Sequence, residues 1–188
     1  MITLETMVEG NSIEPEGADL LMSIGEARES FLVYSLPRNA GKSTLVEAIL
    51  AKVPAGCRRY DFTGTESETT RLLSQSPDGY LVVAEMGHRG RPGYLAGEEV
   101  ARVFQLVNHG YPLASSLHAD TVGQVYEVLS RNGVSVEEAS TIRYLVKVQA
   151  LGDPFDPGTR RIVEAIHEVS GVVGGEVHAI PRYRAGAA

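Results

Sequence analysis

Short apolar runs alternate with stretches of helical spacing from residue 18 to 143, and two-residue alternation takes over beyond that point. Residues 18–30 carry Leu20, Leu21, Ile24 and Ala27 at the spacing of a helix with one buried face. Phe31–Tyr34 reads as a buried strand, and 42–52 as a helix that ends at Pro54-Ala55-Gly56. Residues 58–63 form a second, less apolar strand suited to an edge, and 66–74 a helix closed by Pro77-Asp78-Gly79. The unbroken apolar run 80–84 predicts a strand covered on both faces. Helix 96–108 aligns Val100, Val103, Phe104 and Val107 and stops at His109-Gly110. Strand Leu113–Leu117, helix 122–130 before Asn132-Gly133, and helix 136–143 complete this series. Met1 to Gly17, with four glutamates, Pro15 and two glycines, reads as a loose lead-in with a short strand at Ile2-Thr3-Leu4.

The tail has another rhythm. Tyr144–Leu151, 160–169 and 177–183 alternate as strands do, separated by the turn-rich segments 152–158 and 171–175. Fold class follows: an α/β protein with a mostly parallel sheet flanked by helices, and a C-terminal antiparallel β-appendage. We expect one domain over 1–188, with lead-in 1–17, core 18–150 and appendage 151–188.

Composition narrows the function. An apolar content of 43% and charged content of 22% are those of a globular protein able to bury a core. A net charge of −7 supplies no field for a phosphate backbone, so no nucleic-acid partner is expected. Single Cys57 excludes an internal disulfide and reads as a small, partly buried residue of a reducing cytoplasm. No signal-peptide pattern opens the chain, and no apolar run reaches the roughly 18 residues that cross a bilayer. The expected location is therefore the cytoplasm, without direct membrane insertion; any membrane contact would pass through a partner.

The chemistry concentrates after the strand Phe31–Tyr34. Ser35-Leu36-Pro37-Arg38-Asn39-Ala40-Gly41-Lys42-Ser43-Thr44 joins that strand to a helix and ends in Gly-Lys-Ser, the context of a phosphate-binding P-loop. Backbone N–H groups of such a turn face phosphate oxygens, and the helix dipole favours the anion. Pro37 to Thr44 are the nucleotide-binding candidates. Lys42 would reach the β- and γ-phosphates of ATP, and the Ser43 hydroxyl would hold Mg²⁺. Leu36 stands where the P-loop pattern has glycine.

Two further positions sit where core strands run out. Glu85 ends the apolar run beside the P-loop strand, where an NTPase needs an acid to orient or deprotonate the attacking water. Ala84 precedes it, where most P-loop enzymes carry an Mg²⁺-binding Asp. His118, in Ser115-Ser116-Leu117-His118-Ala119-Asp120, could bond the γ-phosphate or the water. A histidine at a strand end is more often structural, and Glu85 alone could simply mark a solvated strand end.

The order of these segments carries more than each alone. P-loop, then Ser76-Pro77-Asp78 leading into Leu81-Val82-Val83-Ala84-Glu85-Met86, then Gly110-Tyr111-Pro112-Leu113-Ala114-Ser115-Ser116-Leu117-His118-Ala119-Asp120 resembles the secretion-superfamily ATPases of type II and type IV secretion, type IV pili and archaeal flagella. The segment 160–171 also looks like the family's strand after its histidine box, so the resemblance runs from about Ala18 to Tyr183. It implies a RecA-like P-loop core, ATP and Mg²⁺ as cofactors, Lys42 and Ser43 on phosphate and metal, Glu85 as catalytic glutamate and His118 as the second histidine of its box. It further implies a hexameric ring, with a membrane platform protein of a secretion or pilus machine as a candidate partner.

Departures from the family pattern are equally specific. Leu36 and Asn39 replace glycines, although Asn tolerates a left-handed backbone. Thr63 and Gly64 stand where the family's acidic pair is expected, with Asp61, Glu66 or Glu68 as substitutes. Tyr111 replaces the first histidine. The arginine after the glutamate is missing, with Gly87-His88 in its place and Arg89 and Arg91 later. The family's N-terminal domain has no counterpart in these residues. Two functions stay open: a minimal motor that hydrolyses ATP, and a degenerate P-loop protein acting as nucleotide-binding regulator or scaffold. A GTPase or kinase lacks support, since neither Asn-Lys-x-Asp nor an arginine-rich lid is present.

Overall fold

A computed structural model describes residues 2–87 and 93–186. Its elements, in chain order, are α1 (Leu4–Glu9), α2 (Pro15–Glu26), β1 (Phe31–Tyr34), α3 (Lys42–Leu50), β2 (Arg58–Asp61), α4 (Glu66–Leu73), β3 (Gly79–Met86), α5 (Glu98–His109), β4 (Leu113–Leu117), α6 (Val122–Arg131), α7 (Val136–Ala139), β5 (Tyr144–Leu151), β6 (Arg160–Val173) and β7 (Glu176–Arg184). Seven strands make one sheet in the order β2-β3-β4-β1-β5-β6-β7. The pairs from β2 through β5 are parallel, and β6 and β7 add antiparallel to β5. A mostly parallel α/β sheet with an antiparallel C-terminal extension is therefore the observed architecture.

Every residue of β1 and β4 is buried, as strands covered on both faces require. Phe31 and Val33 join Leu4, Leu21 and Leu45 in one core, under α1, α2 and α3. Leu32 and Tyr34 join Leu72, Phe104, Val125 and Ala139 in the other, under α4 to α7. The edge position foreseen for β2 is observed, and its residues are exposed or half-buried. Among the described residues no helix is long and apolar enough to cross a membrane.

Four expectations need correction. The Glu85 strand does not lie beside the P-loop strand: β4 pairs with both β1 and β3 and so separates them. The N-terminus is not a loose strand but helix α1. Thr3 accepts from the Thr6 N–H, and the Thr6 hydroxyl accepts from the Thr3 N–H at 3.0 Å, a reciprocal cap built without the usual Glu or Gln. Leu4 is then fully buried, and Glu5 of α1 pairs with Lys52 beyond α3. The helix foreseen at 136–143 stops at Ala139. The Ser140 and Thr141 hydroxyls bond back to the Glu137 and Glu138 carbonyls at 2.7 and 2.6 Å, which competes with further helix. The turn foreseen at 171–175 shrinks to Gly174-Gly175, both at positive φ (63° and 83°), as a two-residue hairpin needs.

Candidate functional site

The P-loop continues the parallel ladder before it turns. Ser35 is buried and its N–H lies 3.4 Å from the Leu117 carbonyl, while residues 36–39 are exposed and Ala40 is buried again. Asn39 takes φ +58° and Gly41 φ +96°, so both turn the chain through the left-handed region. Leu36 is not among the positive-φ residues, so its side chain strains nothing there; it is simply 59% exposed. Gly41 caps α3 without a side-chain bond, and the first turn carries no acid. The dipole end and its N–H groups at Lys42, Ser43 and Thr44 are thus left for an anion.

β3 delivers Glu85 through a bulge. Val83 faces Ser115 and Met86 faces Leu117, so three steps on β3 match two on β4. The extra residue re-aims the strand end, as bulges beside functional sites do. Two bonds hold it there: Ser116 Oγ donates to the Ala84 carbonyl at 3.0 Å, and the Leu95 N–H donates to the Glu85 carbonyl at 3.0 Å.

Because β4 lies between β1 and β3, His118 stands just past its end, between the other two groups. Glu85 Oε1 is 3.4 Å from Lys42 Nζ and 3.0 Å from His118 Nε2. The three side chains are 8%, 15% and 19% exposed for Lys42, Glu85 and His118. Neither contact to Oε1 has hydrogen-bond alignment, and among the described residues this buried oxygen has no hydrogen-bond donor. His118 Nδ1 lies 2.8 Å from the Leu36 carbonyl. A carbonyl only accepts, so Nδ1 carries a proton and donates to it. The Tyr94 hydroxyl lies 3.2 Å from Nε2. With Nδ1 protonated, the 3.3 Å approach of Lys42 Nζ to that atom is a contact between donors, not a bond. Burial pulls the Lys42 ammonium below its ordinary value, against the attraction of Glu85, which raises it.

On the other flank of the P-loop a cleft of about 560 Å³ is bounded by Asn39, Gly41, Ser43 and Thr44, and across from them by Met7, Val148, Thr159 and Arg161. Lys42, Glu85 and His118 thus form one cluster, while Ser43 and Thr44 line this neighbouring cleft. Pro37 and Arg38 sit exposed on the loop. Two of the three foreseen acidic substitutes are engaged elsewhere, while Glu66 lies exposed in the first turn of α4. Asp61 pairs with Arg59 at 2.8 Å, and Glu68 accepts from the Thr63 and Thr65 hydroxyls at 2.6 and 2.8 Å as the cap of α4. Burial raises the Glu68 carboxyl, but these bonds outweigh it and leave it below its ordinary value. His88, Arg89 and Arg91 lie outside the described residues. Sequence reasoning missed Tyr94 and Arg161: an aromatic in a glycine-containing loop and an arginine at a strand start carry no motif.

A loop between a central parallel strand and its helix, with an acid two strands away, is the arrangement of a RecA-like α/β fold. Two solved structures share it. The VirB11 ATPase of the Brucella suis type IV secretion system, in complex with sulphate, matches at TM-score 0.57 and 15% identity, over 88% of this chain and 54% of that one. The Legionella pneumophila ATPase DotB matches at TM-score 0.58 and 16% identity, over 89% of this chain and 51% of that one. This chain therefore spans about half the length of each, and the likeness is one of fold. No family model and no curated protein matches the chain.

Proposed function

We propose that this chain binds ATP with Mg²⁺ at the P-loop and hydrolyses it as the ATPase domain of a secretion- or pilus-type motor. The observation that carries this reading is the convergence of Lys42 at the start of α3 with Glu85 and His118 at the ends of β3 and β4, within 3.0–3.4 Å. Phosphates would meet the bare N-terminus of α3, and the Lys42 ammonium would turn from Glu85 to the β- and γ-phosphates. Glu85 Oε1, buried and without a donor, is placed to accept a proton from a water attacking the γ-phosphate. His118 bonds the Leu36 carbonyl of the loop and touches Glu85, so a shift of either would reach its ring.

The residues fit the metal as well. Among the described residues no group of three or more His, Cys, Asp or Glu could hold a metal alone. Mg²⁺ in nucleotide sites needs little from the protein, since phosphates and water complete its shell. The exposed Ser43 hydroxyl at the start of α3 would be the protein ligand, and the ion would neutralise charge developing on the phosphates. The neighbouring cleft has the volume for a nucleoside. A homo-oligomeric ring and a membrane platform partner belong to the same proposal.

Steady ATP hydrolysis that vanishes in both Lys42→Ala and Glu85→Gln is the expected result. Sedimentation with and without ATP tests the ring, which a strict monomer in both states would sink. A second reading, a regulator that binds nucleotide without turnover, draws on the use of Asp61 and Glu68 in local pairing and capping. Binding without phosphate release would decide for it.

A further inference from the structure

We propose that Arg161, at the start of β6, is a positioning residue that holds the P-loop in its binding shape before any ligand arrives. Its guanidinium donates to three backbone carbonyls from two separate segments. Nε bonds the Asn39 carbonyl of the loop at 2.7 Å, while the two terminal nitrogens bond the Thr159 and Pro154 carbonyls at 2.8 and 2.9 Å. All three bonds use the planar fork, which a lysine ammonium cannot reproduce.

The anchor side is itself ordered. In the β5–β6 turn, Asp153 Oδ1 accepts from the Phe155 N–H at 2.9 Å, and Asp156 Oδ1 accepts from the Gly158 N–H at 2.8 Å. The loop side needs holding. Residues 36–39 are exposed, and Asn39 occupies a left-handed conformation that costs a non-glycine residue energy. The clamp falls on the carbonyl of that residue. Two positions on, Gly41 packs against the same side chain: a Cβ there would lie 3.4 Å from Arg161 Cδ. Shape that other P-loops draw from glycine is supplied here from the antiparallel part of the sheet, 122 residues away in sequence.

Arg38 precedes the clamped residue and is exposed, so trypsin reads the loop directly, without nucleotide. Cleavage of the Arg38–Asn39 bond, located by fragment mass, should be about tenfold faster in Arg161→Ala than in the parent, the size expected from losing a charge-assisted hydrogen bond. Arg161→Lys should resemble Arg161→Ala. Arg160→Ala, which removes the exposed neighbouring charge, should match the parent. Equal rates in parent and Arg161→Ala would overturn the assignment. So would an equal acceleration at Arg102 in α5, which would mark general loosening. The consequence for function rests on the nucleotide reading above: fluorescent ADP should bind Arg161→Ala about tenfold more weakly than it binds the parent. If the parent binds no nucleotide, that reading fails and the proteolysis still decides the clamp.

Discussion

Replacing Glu85 by Gln should do three separate things, and their signs together test the cluster. The change keeps shape and removes one charge 3.4 Å from Lys42 Nζ and 3.0 Å from His118 Nε2. At an effective dielectric of about 20, such a charge pair attracts by roughly 5 kcal/mol. Desolvation offsets much of that for the intact pair, but removing one partner leaves the Lys42 ammonium buried without its counter-charge, at a cost of about 3 kcal/mol. The unliganded variant should therefore melt about 6–12 °C lower, at about 2–4 °C per kcal/mol for a chain of this size. Nucleotide affinity should move the other way. In the parent, a phosphate competes with Glu85 for the ammonium and meets its negative charge; without it, affinity should rise about tenfold, or roughly 1.4 kcal/mol. Turnover should fall by about 10²–10⁴, the contribution of a positioned general base. Thermal melting without ligand, titration of a fluorescent ATP analogue with Mg²⁺, and phosphate release measure the three. An affinity that stays equal or weakens while the melting point holds would refute the idea that Glu85 holds Lys42 in the resting state.

Removing the Tyr94 hydroxyl by Tyr94→Phe should lower turnover several-fold with nucleotide affinity unchanged, since that hydroxyl lies 3.2 Å from His118 Nε2; an equal loss in affinity would point to the loop instead. Gly79→Ala should cost about 2–3 kcal/mol in urea unfolding, because its Cβ would lie 2.2 Å from the Arg58 carbonyl oxygen across the β2–β3 pair, and a loss under about 0.5 kcal/mol would count against that register. Burial, with Arg184 and Lys147 adding repulsion that Glu164 opposes, holds the His167 imidazole below its usual 6.5. The unfolded chain then binds more protons between the folded value and 6.5, so stability should fall as pH drops below about 6.5, and the His167→Gln variant should lack this component.

Where hydrophobic period and turn chemistry agree, the fold is legible in the chain. The run Phe31–Tyr34 and the run Leu113–Leu117 appear as strands with those bounds, because each is uniformly apolar or small and closed by turn residues. Elements set by local side-chain bonds are harder to see. Helix α1 depends on the Thr3–Thr6 pair, which does not match the usual Glu or Gln pattern, and α7 is cut short by hydroxyls that read as ordinary helix surface. Strand order is the largest correction, since the Glu85 strand expected beside the P-loop strand is separated from it by β4. No local pattern states that β4 lies between β1 and β3, yet that order puts His118 between Lys42 and Glu85 and turns three scattered residues into one cluster.

The departures from the P-loop pattern look different once the backbone is in view. Leu36 stands at a position where glycine is expected, yet the chain there does not need positive φ, and its carbonyl accepts from His118 at 2.8 Å. Asn39 does need positive φ, and Asn is the non-glycine residue best suited to it. Its carbonyl is taken up by Arg161. One replaced glycine is therefore conformationally neutral, and the other is held by a contact that no motif records. The eroded letters of the loop are not an eroded loop, and the case against nucleotide binding rests more on the spent acidic residues at 61 and 68 than on the missing glycines.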